Sequence, residues 1–287
     1  MVRTLVVMIC LLAGVAATPA LADEPSRIFV ASTGNDSNDG SRASPKRSFQ
    51  AAHDAVGAGG SIIVLDTAGY GAVKITKSVF VDASPGVSGF VPVPKVTAGI
   101  AVEIDAPNAE VSLRGLVIDG DGHNLGIVAT NIRRLVVEDT LIRAVGTGIY
   151  LSAMSNATLH VHGGAVRGAN EGIVIAAAAP NVAVSGIVSD VKIVGTSSDG
   201  VRGTARDVSS AVKVTLEHCT ITDGFSYGLV ADTGSEIVMD GLTITNNRVA
   251  YEAMSGYKVG AIYSRGNNTV YDNRETGSVI VKPLPAQ

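Results

Sequence analysis

The sequence predicts an all-β fold: a right-handed, single-stranded parallel β-helix of 23–28 residues per coil, with a short N-terminal capping helix. Two series of apolar residues that advance in step carry the prediction. Ile118, Ile142, Val166, Ile193, Ile221 and Ile244 are spaced by 24, 24, 27, 28 and 23 residues. Leu113, Val137, Val161, Val188, Leu216 and Met239 repeat the same spacings. Each pair belongs to one local pattern, apolar-x-apolar, a two-residue break, then apolar-x-apolar, as in Val111-x-Leu113 followed by Leu116-x-Ile118. A third series, Gly99-Ile100, Gly126-Ile127, Gly148-Ile149, Gly172-Ile173 and Gly228-Leu229, marks another short strand per coil, with each glycine expected to turn the chain at positive φ. No such unit buries its apolar side alone, so stacking at the strand-pairing distance of about 4.8 Å is what builds a core. Leucine-rich repeats would want regularly placed leucines, helical repeats a 3.6-residue period, and an antiparallel sandwich no fixed period near this one.

The elements follow in order. Residues 1–22 read as a signal peptide: Arg3 before the apolar run 5–17, then Ala20-Leu21-Ala22 as a cleavage site. The run is short for a membrane span, so a secreted or periplasmic chain with no span after cleavage is expected. Residues 23–60 hold a first strand at 28–30 and a helix over 45–56. Phe49, Ala52 and Val56 share one face of that helix, Pro45 suits its first turn and Ser44 its N-cap. The β-helix proper occupies 61–278, opening with strands at 61–65, 73–75 and 79–81. The segment 84–97, with three prolines, reads as a loop that breaks the ladder, and 195–210 as a polar insertion rising over one face. Residues 279–287 form a tail.

Composition narrows the partners. The formal net charge is −4, and cleavage removes Arg3 and no acid, so nothing favours nucleic acid or anionic lipid. Cys10 leaves with the signal and Cys219 stands alone, aligned with Leu116 and Leu242 as a core filler. The fold is held by packing rather than disulfides, and a monomer is expected.

The ladder also says which side chains point outward. One outward column is Asp119, Arg143, Arg167, Val194, Thr222, Thr245. Another is Arg114, Glu138, His162, Ser189, Glu217, Asp240, and beside it run Gly115, Asp139, Gly163, Asp190, His218, Gly241. Arg114, Arg143 and Arg167 would bind sugar carboxylates, for which the guanidinium fork is suited. Asp119, Glu138, Asp139 and His162 would supply acid and base for β-elimination or for hydrolysis by a carboxylate pair. The same charges on neighbouring coils also make ordinary cross-strand pairs. Asp119-Gly120-Asp121-Gly122-His123 reads as a turn that could also hold a cation, and the oxygen-rich 35–40 stretch as an Asx turn or a Ca²⁺ site; otherwise no cofactor is expected. Asp199-Gly200-Val201-Arg202 and Arg206-Asp207 lie in the polar insertion. Asn246-Asn247 and Asn267-Asn268 sit where turn asparagines stack.

The stretch Ile28-Phe29-Val30-Ala31-Ser32-Thr33-Gly34-Asn35-Asp36-Ser37-Asn38-Asp39-Gly40, then Ser44-Pro45 and Phe49-Gln50-Ala51-Ala52, resembles the opening of bacterial right-handed β-helix proteins of the pectin-lyase-like superfamily. The later coils are similar to that family in repeat length, so the resemblance spans nearly all of the mature chain. It implies the fold and a range of activities: polysaccharide lyases, glycoside hydrolases, epimerases, esterases and non-catalytic members. The paired aspartates of polygalacturonases and the Asp-Pro-His-Asp run of alginate epimerases are missing here. The expectation is an exported protein that binds or processes an acidic polysaccharide, with a non-catalytic solenoid that binds glycan or protein as the alternative.

Overall fold

The computed structural model describes residues 25–83, 85–92, 99–122, 124–278 and 281–284; the proposed signal peptide, His123 and most of the tail lie outside them. Eight coils stack, each giving one strand to each of three parallel sheets, here called I, II and III. Coil 1 begins at Gly60–Val64, and coil 8 ends at Val249–Ala253. Coil 4 is typical: Arg134–Glu138 joins sheet I, Leu141–Arg143 sheet II and Thr147–Ala153 sheet III. The winding is right-handed, the sense that nearly all parallel crossovers take.

Both apolar series stack in register. Ile118, Ile142, Val166, Ile193, Ile221 and Ile244 are successive partners in sheet II. Leu113, Val137, Val161, Val188, Leu216 and Met239 are successive partners in sheet I. All twelve are buried. A fully buried side chain of this size contributes about 1.5–3 kcal/mol, so the axial stacks are the main source of stability.

Sheet III departs from expectation twice. Val102, not Ile100, is the partner of Ile127, and Gly200-Val201 supplies the coil missing from the series. The ladder glycines also have a different cause. None of Gly126, Gly148, Gly172, Gly200 or Gly228 has positive φ. A Cβ on each of the first four would instead lie 2.3–2.5 Å from the carbonyl oxygen of the next ladder glycine, and one on Gly228 would lie 2.5 Å from Ala250 O. Glycine is required by the approach of the neighbouring coil.

Positive φ belongs to the corners. Between sheets I and II, Gly115, Asp139, Gly163, Asp190, His218 and Gly241 are all left-handed, and between II and III so are Ala144, Gly168, Gly195, Asp223 and Asn246. Asp and Asn tolerate this backbone better than most side chains do. Asp139 thus has a conformational reason for its place in the column.

Three further expectations are corrected. Gly89–Pro92, inside the expected loop 84–97, is a strand of sheet II paired to Leu116–Asp119. Residues 84 and 93–97 of that loop lie outside the described residues. The 195–210 insertion does not rise over a face: Asp199–Ala205 is a strand of sheet III between Glu171–Ala177 and Tyr227–Ala231. Its Val201 and Ala205 are buried, which fixes the strand despite the polar residues between them. The N-terminal helix spans Phe49–Ala55, shorter than 45–56. Ser48, rather than Ser44, is its N-cap, and Lys46 is tied to Phe29 and Ala31 by backbone hydrogen bonds.

Strand Arg27–Val30 pairs with coil 1, and the helix, with its C-cap Val56, buries Phe49, Ala52 and Val56 over the end of the solenoid. The rings of Phe49 and Tyr70 meet there at 5.1 Å. Asparagines tie the far corners. Asn247 Oδ1 accepts from Gly224 N at 2.9 Å while its Nδ2 donates to Ile221 O and Thr245 O, and Asn268 Nδ2 donates to Met239 O.

Candidate functional site

The sequence-predicted residues lie where the columns place them, at the corner of sheets I and II. Arg114, Glu138 and His162 are aligned partners in sheet I, and Asp119, Arg143 and Arg167 in sheet II. Their contacts run between coils. Arg143 Nη2 lies 2.8 Å from Asp119 Oδ2, and Arg114 Nε lies 4.0 Å from Asp139 Oδ2. His162 Nδ1 lies 3.0 Å from Ser189 Oγ and 3.6 Å from Asp190 Oδ2. Arg167 has no ion pair or side-chain hydrogen bond among the described residues, and Glu138 has none either. The pairs that do form are about half exposed, so each stabilises by at most about 1 kcal/mol.

The other oxygen-rich stretch is turned toward its own backbone. Asn35 Oδ1 accepts from Ser37 N, and Asp39 Oδ1 from Ser41 N. Partial burial works against ionisation of Asp36, yet hydrogen bonds from Ser48 Oγ, Arg47 N and Ser48 N hold its carboxyl below the usual range. Among the described residues, no group of three His, Cys, Asp or Glu side chains is arranged to hold a metal ion.

A second cluster stands on the outer face of sheet III, and sequence reasoning did not assemble it. Arg202, in coil 6, is surrounded by three carboxylates from three coils. Its Nη1 lies 3.3 Å from Asp199 Oδ2 and 3.6 Å from Glu171 Oε1, and its Nε lies 3.7 Å from Asp232 Oδ2. Asp199 is 2% exposed, whereas the other three side chains reach solvent. Burial pushes the Asp199 carboxyl above the ordinary value; Arg202 opposes this, and the charges of Glu171 and Asp232 add to it. Asp199 Oδ2 and Arg202 Nε are buried and make no hydrogen bond. The ion pairs are therefore Coulombic contacts, with hydrogen-bonding capacity left over.

Glu171, Arg202 and Asp232 wall a cavity of about 420 Å³, which the buried Asp199 does not line. Thr147 Oγ1 donates to Glu171 Oε2 at 3.1 Å, and Arg206 Nη2 donates to Tyr150 Oη at 2.7 Å across its floor. Val174 and Ala176 line it with apolar surface. Glu171 and Asp232, two coils apart and joined by one guanidinium, are the carboxylates a ligand in the cavity would meet. A legible signal existed: each ladder glycine is preceded by an outward residue, and that column reads Leu125, Thr147, Glu171, Asp199, Tyr227.

No protein-family model and no curated protein matches the chain. Among solved structures, a rhamnogalacturonan lyase is 11% identical, with a TM-score of 0.44 over 89% of each chain. A GH136 lacto-N-biosidase from Eubacterium ramulus is 10% identical, with a TM-score of 0.44 over 90% of this chain and 67% of its own. At that level of likeness neither says what this chain does. Among the described residues no helix is long and apolar enough to cross a membrane, which leaves strands unaddressed.

Proposed function

We propose that this chain is an exported protein that binds and cleaves an acidic polysaccharide along the outer face of sheet III. The observation that carries the reading is the pair of solvent-reaching carboxylates, Glu171 and Asp232, held by Arg202 in one cavity. Glycosidic bonds are hydrolysed between two carboxyl groups, one giving a proton to the leaving oxygen while the other attacks or activates water. Arg202 orients the pair, and buried Asp199 anchors Arg202 from beneath. The apolar floor and Tyr150 would lie against the sugar ring, and Arg206 would meet its anionic substituent. The ion pairs Arg114–Asp139 and Lys213–Glu236 also border cavities, but smaller ones of about 200 and 290 Å³, and neither brings two carboxylates together, which favours this face.

The corner of sheets I and II supports a second reading, because Arg167 is unpaired. There Arg114, Arg143 and Arg167 bind carboxylates, and Asp119, Glu138, Asp139 and His162 supply acid and base. If binding occurs without bond cleavage, the protein is a non-catalytic glycan-binding solenoid.

The test is incubation with polygalacturonate, alginate and glycosaminoglycans, with and without Ca²⁺, following new reducing ends and the ultraviolet absorbance of unsaturated uronates. Hydrolysis yields reducing ends without that absorbance, and Glu171→Gln or Asp232→Asn lowers the rate by about 100-fold or more. Loss of activity in Arg167→Ala with Glu171→Gln unaffected moves the site to the other corner. Absence of both signals on every polymer refutes cleavage of these substrates.

A further inference from the structure

The corner between sheets II and III carries an unexplained exposed aromatic. Phe225 is 77% exposed, the most exposed large apolar side chain among the described residues. Exposing a ring of this size forgoes much of what its burial would contribute. Its column is not random. Arg248 N donates to Gly224 O and Arg274 N to Asn247 O, so positions 225, 248 and 274 sit one above another on successive coils. In the other direction the column continues through Ser197 and Asn170, whose side chains are hydrogen bonded at 2.9 Å.

Phe225, Arg248 and Arg274 wall a cavity of about 400 Å³, shared with Asp223 and Asn246. The one carboxylate there, Asp223, accepts from Asn246 Nδ2 through Oδ1 at 2.5 Å and is ion-paired to neither arginine. Neither guanidinium has an ion pair or side-chain hydrogen bond among the described residues. Several other arginines on this chain are ion-paired, as Arg133, Arg143, Arg202 and Arg265 show. Two free guanidinium forks beside a bare aromatic face, in an otherwise acidic protein, are an anion-recognition set with an apolar platform.

The geometry points to a second binding site here, in which Phe225 stacks on the ring of a saccharide while Arg248 and Arg274 hold its anionic substituent, carboxylate or sulfate. Guanidinium groups bind both planar and tetrahedral oxyanions through paired hydrogen bonds. Coils repeat at about 4.8 Å, close to the length of one hexose, so a polymer lying along the axis presents one sugar per coil. Asn170 precedes Glu171 and Ser197 lies two residues before Asp199, so this column borders the carboxylate cavity. A chain held at Phe225 therefore runs past Glu171 and Arg202. The proposal takes from the proposed function only that the ligand is a saccharide, and it stands whether or not cleavage occurs.

The experiment is titration calorimetry of the full chain with octamers of galacturonate and of mannuronate, a heparin-derived octamer, and neutral cello-oligosaccharide. The expected result is saturable binding of at least one anionic octamer, weakening with salt. Arg248→Ala and Arg274→Ala should each lower its affinity about tenfold, and Phe225→Ala about threefold to tenfold. The neutral oligomer should respond to neither arginine. Binding of a uronate octamer assigns the held group as carboxylate, and binding of the heparin octamer alone assigns it as sulfate. Saturable binding that depends on Arg248 and Arg274, seen where no polymer is cleaved, leaves this site standing when the catalytic reading fails. Absence of saturable binding to all three anionic octamers, or unchanged affinity in the Arg248→Ala/Arg274→Ala double variant, overturns the site. All three residues are exposed, so the variants fold.

Discussion

Gly172→Ala tests the packing logic of the whole solenoid. The new methyl would lie 2.3 Å from Gly200 O and 2.9 Å from Ile193 Cγ2. Carbon contacts settle near 3.5–4.0 Å, so the methyl is about 1 Å too close to a main-chain atom that no rotamer can move. Relief requires coils 5 and 6 to part along sheet III, where Ile173 pairs with Val201 and Ile175 with Gly203. Overpacking of this kind costs about 1–3 kcal/mol, and one weakened ladder hydrogen bond about 1 kcal/mol more. The expected loss is about 2–4 kcal/mol. Gly69→Ala is the control: it too lies in a strand, without positive φ, and its Cβ would meet nothing within 4 Å. It should change stability by less than about 0.5 kcal/mol. Urea unfolding followed by circular dichroism gives the comparison. Because stacked coils unfold in parts, amide exchange across 171–177 and 199–205 should rise with it. Equal stability of the two variants would refute close approach as the reason for the glycine ladder.

Two other outcomes follow from buried ionisable groups. Arg202→Met leaves Asp199 buried beside Glu171 and Asp232, and should destabilise by about 3–5 kcal/mol at neutral pH. The sign is set by the raised Asp199 carboxyl, which binds its proton more tightly folded than unfolded. Its stabilisation is full in acid and is lost as pH rises through the folded value, so urea midpoints of the variant should recover as pH falls toward about 4, and an equal deficit at both pH values contradicts the account. Burial pushes the Cys219 thiol up to about 11. The peptide containing it should therefore resist iodoacetamide at about pH 8 in the folded protein and react fully in urea, as mass spectrometry would show.

The sheet I and II stacks were legible because each coil repeats one local pattern, and inward residues there tolerate only apolar side chains. Sheet III was less so. The pairing of Ile127 with Val102 slips past Ile100 because the chain between sheets II and III is longer before it than in later coils. Asp199 and Arg202 made a strand look like a loop, since Arg202, besides its i, i+3 contact with Asp199, is answered by Glu171 and Asp232 on the neighbouring coils, which the local sequence does not show. Asp232 was harder still. It follows its strand, in step with Thr204 and Ala176, a column with no second charge to mark it. The helix start moved to Ser48 because Lys46 is held in extended backbone pairing, which periodicity does not report. Asp139 shows the opposite limit: its column was readable, but only the backbone angle reveals why an aspartate suits it.

The coils differ in length without losing register, and the difference is not spread evenly. In coils 4 to 8, two residues separate the strands at the I–II corner each time, as between Glu138 and Leu141 or Asp240 and Thr243. The III–I corner varies, with three residues between Ala153 and Ala157 but five between Ala205 and Ala211. One corner therefore behaves as a hinge of fixed gauge that sets the pitch, and another as a margin where the chain can be lengthened. Sheet III opens onto that margin. Segments inserted at 178–182 or 206–210 would raise a wall beside Arg202 and deepen its cavity without altering one stacked pair, so depth of the groove and stability of the solenoid can be varied independently.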